Sequence, residues 1–428
     1  MRRSSRHARI FKTTDHQYHG QYQGQKQCGW RWRQRSQSRL EETRRWHSCV
    51  GQTFGASRRR GTEQQTQSNV GWSEEGRMSN KFCRFLSNGC SLELRNSQIY
   101  SKPCCWFRGA VPFKGPDTLK TLHNTDSWIP GCSVCKQQEQ NGIFSFRQAS
   151  FQIAPDLPDG NITTLDINLD FECNAACIIC NAGSSTLWSK ELKRFKIDHT
   201  PTDSTSEDTI NNILSSLDLS HVTRVKFFGG EPLFNDLHVK VLTHFSNSKN
   251  IEIWYTTNAS IYPSHEVLDL WAKFKLVYFE ASLDGIGKQF NYIRWPLRWD
   301  SIEKNLLRLK AEAPVNVLFR INHTLNPFNA FYYDRLVEWV DTQFSTNRVG
   351  DKTEINIHPC WGTWDLSKTP LSLRNVIPQN SSAFSILNNT PLNTDLSSIS
   401  DFIKQWEPRR KNNWKEVFPE IVKYFNLD

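Results

Sequence analysis

From residue 161 onward the chain alternates between two rhythms. One is a two-residue alternation of apolar and polar positions, the period of a strand. It runs through TLDINLDF (164–171), VTRVKFF (222–228), IEIWYT (251–256), LVYFEASL (276–283), VNVLFRI (315–321) and EINIHP (354–359). The other recurs every three or four residues, the spacing of one helix face. Ile210, Ile213, Leu214 and Leu217 make such a stripe. Val267, Trp271 and Phe274 make a second, Ile302, Leu306 and Leu309 a third, and Leu336, Val337 and Val340 a fourth. Strands separated by helices predict parallel β-α units, which right-handed crossovers curl into a barrel, complete or partial. The expected fold class is α/β: a partial, six-stranded parallel β/α barrel over residues 161–365. Residues 78–160 are expected to form a small N-terminal cysteine-rich module. Residues 366–428 form an extension whose last stripe, Trp414, Val417, Phe418, Ile421 and Phe425, reads as helical.

Polar motifs fall where strands end. FECNAACIIC (171–180) follows the first strand and places Cys173, Cys177 and Cys180 in a C-x3-C-x2-C spacing. GGEP (229–232) follows the second strand, TTN (256–258) closes the third and SLDG (282–285) closes the fourth. The C-terminal ends of barrel strands are where such folds build active sites. Three thiols on one short loop suit an iron–sulfur cube with one iron left open. A zinc knot is the alternative, but structural zinc wants four ligands, and no fourth Cys or His lies close by in sequence. SLDG by itself also reads as a turn with an Asx hydrogen bond.

Together, C-x3-C-x2-C after the first strand and GGEP after the second resemble the radical S-adenosylmethionine (SAM) enzymes, over roughly residues 161–365. The resemblance implies a 4Fe–4S cluster on Cys173, Cys177 and Cys180, with the open iron taking the amino and carboxylate groups of SAM. Reductive cleavage of SAM would then give a 5′-deoxyadenosyl radical that abstracts hydrogen from a substrate. It further implies that Gly229 and Gly230 admit the methionine part of SAM and that Glu231 accepts from its amino group. Thr257, Asn258, Ser282 and Asp284 would contact its carboxylate and ribose, and Ile179 would pack on adenine. Two positions depart from the pattern: Ile179 where many relatives have an aromatic residue, and Ala259 where they often have Gly.

Upstream, Cys83, Cys90, Cys104, Cys105, Cys132 and Cys135 lie in segments such as YSKPCCWF and WIPGCSVC. These resemble the twitch and SPASM modules that hold auxiliary iron–sulfur clusters, here placed ahead of the barrel. The expected ligands are Cys83, Cys104, Cys132 and Cys135, with Cys90 or Cys105 as substitutes. Structural zinc and a dithiol remain open for this group. Cys360, after the last strand, reads as a small buried thiol. Relatives of this kind often modify peptides and draw electrons from a flavodoxin or ferredoxin. The alternative function is a non-catalytic iron–sulfur or zinc binding protein on a degenerate barrel.

Composition changes the picture in two ways. The chain has 428 residues, 12 cysteines and a formal net charge of +10. Residues 1–77 carry 16 Lys and Arg against 6 Asp and Glu, so the rest is neutral and no nucleic-acid partner is expected for the folded body. That leader has only Ile10, Leu40, Val50 and Val70 as aliphatic β-branched or leucine positions, too few to offset its ordering entropy. Translation starting at Met78 would make it a gene-model artefact; a basic tail that touches nucleic acid is the alternative. No run of eighteen apolar residues and no signal-like start occurs, so a cytosolic, membrane-free location with metal or redox use of the cysteines is expected.

Overall fold

All six alternating stretches become strands, and three more precede them. In chain order they are β1 (Gly89–Arg95), β2 (Gln98–Lys102), β3 (Val111–Pro112), β4 (Thr164–Asn168), β5 (Arg224–Phe227), β6 (Glu252–Thr257), β7 (Leu276–Ser282), β8 (Val317–Leu325) and β9 (Glu354–Pro359). A computed structural model of the chain describes residues 83–95, 98–115, 128–140, 145–154, 157–168, 170–199, 207–245, 248–347 and 350–427. The basic leader lies outside the described residues.

The strands form one nine-stranded sheet in the order β3-β2-β1-β4-β5-β6-β7-β8-β9. Across the sheet from β1 to β4 and on to β9 every neighbouring pair is parallel, while β2 pairs antiparallel with both β1 and β3. The expected count of six parallel strands is therefore corrected to seven, in a sheet that stays open between β3 and β9. The added strand is β1, whose GCSLELR also alternates and pairs Cys90 with Leu165 and Leu92 with Ile167. Without β1, β4 would present an unpaired edge beside a buried core.

Parallel sheets covered on both faces read as continuous apolar runs. These strands alternate instead, because their two faces differ. Val225, Ile253, Tyr255, Phe279 and Phe319 are buried with the helical residues Leu214, Val241, Trp271, Leu306 and Val340. The opposite face carries Lys226, Trp254, Glu280, Arg320 and Asn356, tied by ion pairs and stacking. The helices that cover the apolar face run Glu207–Ser215, Leu237–Thr243, His265–Trp271, Trp299–Glu312 and Tyr333–Gln343; all but Leu237–Thr243 match a predicted stripe. No helix among the described residues is long and apolar enough to cross a membrane.

The last apolar stripe of the C-terminal extension spans two kinds of helix. Trp414–Val417 is one turn of α-helix, and Pro419–Tyr424 continues as a 3-10 helix. Pro419 cannot donate a backbone hydrogen bond, so the α-helix ends before it. Trp414, Phe418, Ile421 and Phe425 are nonetheless buried, against Tyr292 and Phe328.

One buried titratable group ties the helix Leu237–Thr243 to β6. His238 Nδ1 and the Tyr255 hydroxyl are 2.8 Å apart, and Trp271 Nε1 donates to the same oxygen at 3.3 Å. Burial holds the imidazole down at about 4, against an ordinary value of 6.5. The unfolded chain thus takes up this proton first, and stability is lost as pH falls from 6.5 toward 4. About 3 kcal/mol is expected from this group. Urea denaturation across that range should show the decline, and His238→Gln should flatten that part of it.

Candidate active site

The cysteine loop contains no regular element, so each of its backbone groups needs a partner from elsewhere. The Glu172 amide donates to Asp170 Oδ1 at 2.7 Å, and the Cys173 amide to Thr186 Oγ1 at 3.1 Å. The Ala176 amide donates to Trp295 O at 2.7 Å and the Ile178 amide to Ile293 O at 2.8 Å, as a strand would. Ser185 Oγ donates to Ala175 O at 2.6 Å while capping the helix Thr186–Arg194, and Trp188 Nε1 donates to Cys177 O at 2.8 Å. Cys173, Cys177 and Cys180 are all free thiols. Burial pushes all three up, Cys173 to about 11, while the Arg294 guanidinium pulls Cys177 and Cys180 back toward the thiolate.

GGEP closes over the start of this loop. The Gly230 amide donates to Asp170 O at 3.1 Å and the Glu231 amide to Glu172 O at 2.7 Å. A Cβ on Gly229, whose φ is +137°, would lie 2.5 Å from Asn168 Oδ1, and one on Gly230 would lie 2.3 Å from Glu172 O. What a side chain would strike is the chain's own loop, so these glycines first serve to seat the cysteines. Glu231 is buried, and its carboxylate accepts from the Thr257 hydroxyl (2.6 Å), the Asn258 amide (2.6 Å) and the Leu233 amide (3.2 Å). A carboxylate has about four acceptor sites, so roughly one remains for a ligand. Burial raises its pKa, and those three donors oppose the rise.

The remaining rim residues join the same edge. Asn258 Nδ2 donates to Asn174 Oδ1 at 3.0 Å and lies 3.9 Å from Cys173 Sγ. Asp284 accepts from the Thr324 amide at 2.7 Å and pairs with Arg294 Nε at 2.7 Å, so it bridges strand ends and makes no local Asx turn. Ser282 lies in register with Asn322. Ile179 is half-buried between the two main cores, and Cys360 is buried as expected.

Two arginines carry this site without having been singled out in the sequence. Arg294 sits buried between Asp284 and the thiols. Arg410 ends the helix Ser397–Arg410 and pairs with buried Glu191 at 2.9 Å. Its guanidinium lies 4.4 Å from the Trp188 ring and 4.7 Å from the Trp295 ring, the two tryptophans that hold the cysteine loop. Neither arginine lies in a motif, so only a tertiary structure could point to them.

The upstream cysteines separate into two sets. Cys83, Cys104 and Cys132 share a small core with Phe85 and Phe146. Cys135 lies near enough that its charge acts on both Cys104 and Cys132. Burial pushes Cys132 to about 12 and Cys135 to about 11. Cys90 instead enters the main core, and the Cys105 amide turns to Asp166 Oδ2 at 3.2 Å. Among the described residues no three His, Cys, Asp or Glu side chains close tightly enough on one point to hold a single metal ion. A cluster takes one thiolate per iron and so spreads its ligands.

No family model matches the chain, and no curated protein matches it. Solved structures that resemble it include anSMEcpe with bound AdoMet, at 14% identity and a TM-score of 0.34 over 54% of this chain and 63% of that one. Another is anSMEcpe with bound AdoMet and Kp18Cys peptide, at 14% identity and 0.33 over 54% and 63%. A third is Streptococcus suis SuiB bound to S-adenosylmethionine, at 15% identity and 0.31 over 70% of this chain and 57% of that one. The chain thus spans less than two thirds of the length of these proteins, and likeness at this level does not decide its chemistry.

Three substitutions test this arrangement. Ala259 holds a left-handed φ of 60°, a conformation that costs an L-residue about 1–2 kcal/mol. Ala259→Gly should therefore stabilise by up to about 1 kcal/mol in urea denaturation. Arg410→Ala leaves Glu191 buried and unpaired, and should cost about 3–5 kcal/mol. Adding Glu191→Ala should return part of that loss, as the midpoint of the same denaturation would show.

Proposed function

We propose that this chain is a radical SAM enzyme. The observation that carries the reading is the C-x3-C-x2-C loop after β4, with three free thiols and the GGEP turn hydrogen-bonded against it. Cys173, Cys177 and Cys180 would hold a 4Fe–4S cluster, and their donor set suits one: three soft thiolates on one loop, offset by the buried Arg294. Loaded with SAM, such a cluster supplies the electron that cleaves SAM to methionine and a hydrogen-abstracting 5′-deoxyadenosyl radical. Glu231, with its remaining acceptor site, would orient the SAM amino group. Thr257 and Asn258 fix that carboxylate in place. Ser282 and Asp284 would serve the carboxylate and ribose, and Ile179 the adenine. Arg294 pairs directly with Asp284 at 2.7 Å.

Residues 78–160 would form an auxiliary-cluster module with Cys83, Cys104, Cys132 and Cys135 as ligands, ahead of a barrel over 161–365. A peptide substrate, an electron donor such as a flavodoxin or ferredoxin, and a cytosolic location complete the proposal. The peptide and the electron donor rest on the resemblance of the cysteine segments, and the location on cysteine usage without a signal-like start.

Protein reconstituted with iron and sulfide under anaerobic conditions should turn SAM into methionine and 5′-deoxyadenosine when strongly reduced. Cys177→Ala should abolish the product, and Glu231→Ala should weaken SAM binding. With Cys173, Cys177 and Cys180 all replaced by Ala, about four irons should remain if the upstream cysteines hold a full cluster. A protein that carries its full cluster and binds SAM, yet never yields 5′-deoxyadenosine under any reductant, is instead the non-catalytic binding protein.

A further inference from the structure

Among the described residues, the polar face of the sheet is a network of pairs that leaves the Arg224 guanidinium over. Lys226 pairs with Glu280 at 3.0 Å, and Arg320 with Glu354 at 2.8 Å. Glu252 is taken by Lys275 at 2.9 Å, and Asp166 accepts from the Cys105 amide. Thr256 adds a hydroxyl to Glu280 at 2.8 Å. Arg224, the first residue of β5, is 8% exposed, and among the described residues its guanidinium finds no acceptor; its Nε is buried without a partner. It lies instead over the Trp254 ring, 4.8 Å from the centroid. Trp254 is 7% exposed, and its Nε1 is likewise buried without a partner. Trp254 in turn stacks on Tyr278 at 3.9 Å between ring centroids.

Both unsatisfied groups are donors, and every carboxylate of the described face is engaged elsewhere. A buried guanidinium is strongly disfavoured without an anion, and the guanidinium stacked on this indole, together with the indole N–H, leaves two neighbouring side chains with donors to give to an acceptor. We propose that Arg224 and Trp254 anchor a carboxylate of the substrate on the polar face of the sheet. This rests on the reading that the chain acts on a substrate at the rim above this face.

Position then limits the substrate's size. Arg224 is in register with Glu252, the first residue of β6, and Thr257 at the rim is five residues further along. At ~3.3 Å per residue, less the reach of the arginine side chain, anchor and rim are separated by roughly 10–17 Å. An extended segment of about three to five residues covers that span. The substrate so selected is a chain bearing a carboxylate several residues from the carbon that reacts, and a compact metabolite could not occupy both ends.

Calorimetric titration of the full chain tests this with four probes. Two are N-acetylated, C-amidated Gly/Ser hexapeptides that differ only in a central Glu or Gln. The third is the Gln peptide with a free C-terminal carboxylate, and the fourth is free glutarate. At least one carboxylate probe should bind about tenfold or more tighter than the amidated Gln peptide, the margin of a charge-assisted hydrogen bond. The probe that does so identifies the source as a side chain, a chain terminus or a small acid. Glutarate alone binding would overturn the extended-chain claim. Arg224→Met should remove the preference, Trp254→Phe should reduce it, and Arg224→Lys, which keeps the charge, should retain part of it. Equal binding of all four probes, no binding of any, or an unchanged preference in both Arg224→Met and Arg224→Lys would overturn the anchor. The titration needs neither iron nor SAM, so its failure leaves SAM cleavage standing, and failure of SAM cleavage leaves the titration standing.

Discussion

The structure turns on a loop that cannot hold itself. Residues 171–180 form no helix and no strand, yet three of them must present sulfur. The solution is a clamp: the GGEP turn bonds one end of the loop through the Glu231 amide, and residues 293–295 bond the middle through Ala176 and Ile178. With the backbone satisfied by neighbours, the thiols need make no structural bonds of their own. Much else follows from that clamp. The glycines must be glycines to let two backbones approach, and Glu231 must be buried to knit the turn to the end of β6.

Sequence periodicity revealed the frame because burial writes itself at period two or between three and four. Six strands and the helices between them were legible for that reason. The seventh parallel strand, GCSLELR, keeps the same alternation, but its Cys90 also fits a set of thiol ligands, so residue type and period point to different roles. Trp414, Phe418, Ile421 and Phe425 keep helical spacing across the change from α-helix to 3-10 helix, and Pro419 is the sequence signal for that change. Motif residues were legible as chemistry but not as geometry. Glu231 and the two glycines turned out to be engaged first with their own chain.

Arg294 and Arg410 show where such reading ends. A guanidinium becomes meaningful through what it touches, and those partners lie on other elements. Ten residues separate Arg294 from Asp284, and Arg410 answers to Glu191 far back in the sequence. Their placement also makes electrostatic sense. Several buried thiols resist ionisation, and buried cations lower the cost of thiolate charge without admitting water.

The Arg410–Glu191 pair joins groups 219 residues apart. A ribosome adds about 5–20 residues per second, so this stretch takes on the order of 10–40 seconds to synthesise. For that interval the cysteine loop exists without the helix that braces its tryptophans. The last turn of the helix Ser397–Arg410 is thus made well after the thiols whose loop it helps to brace.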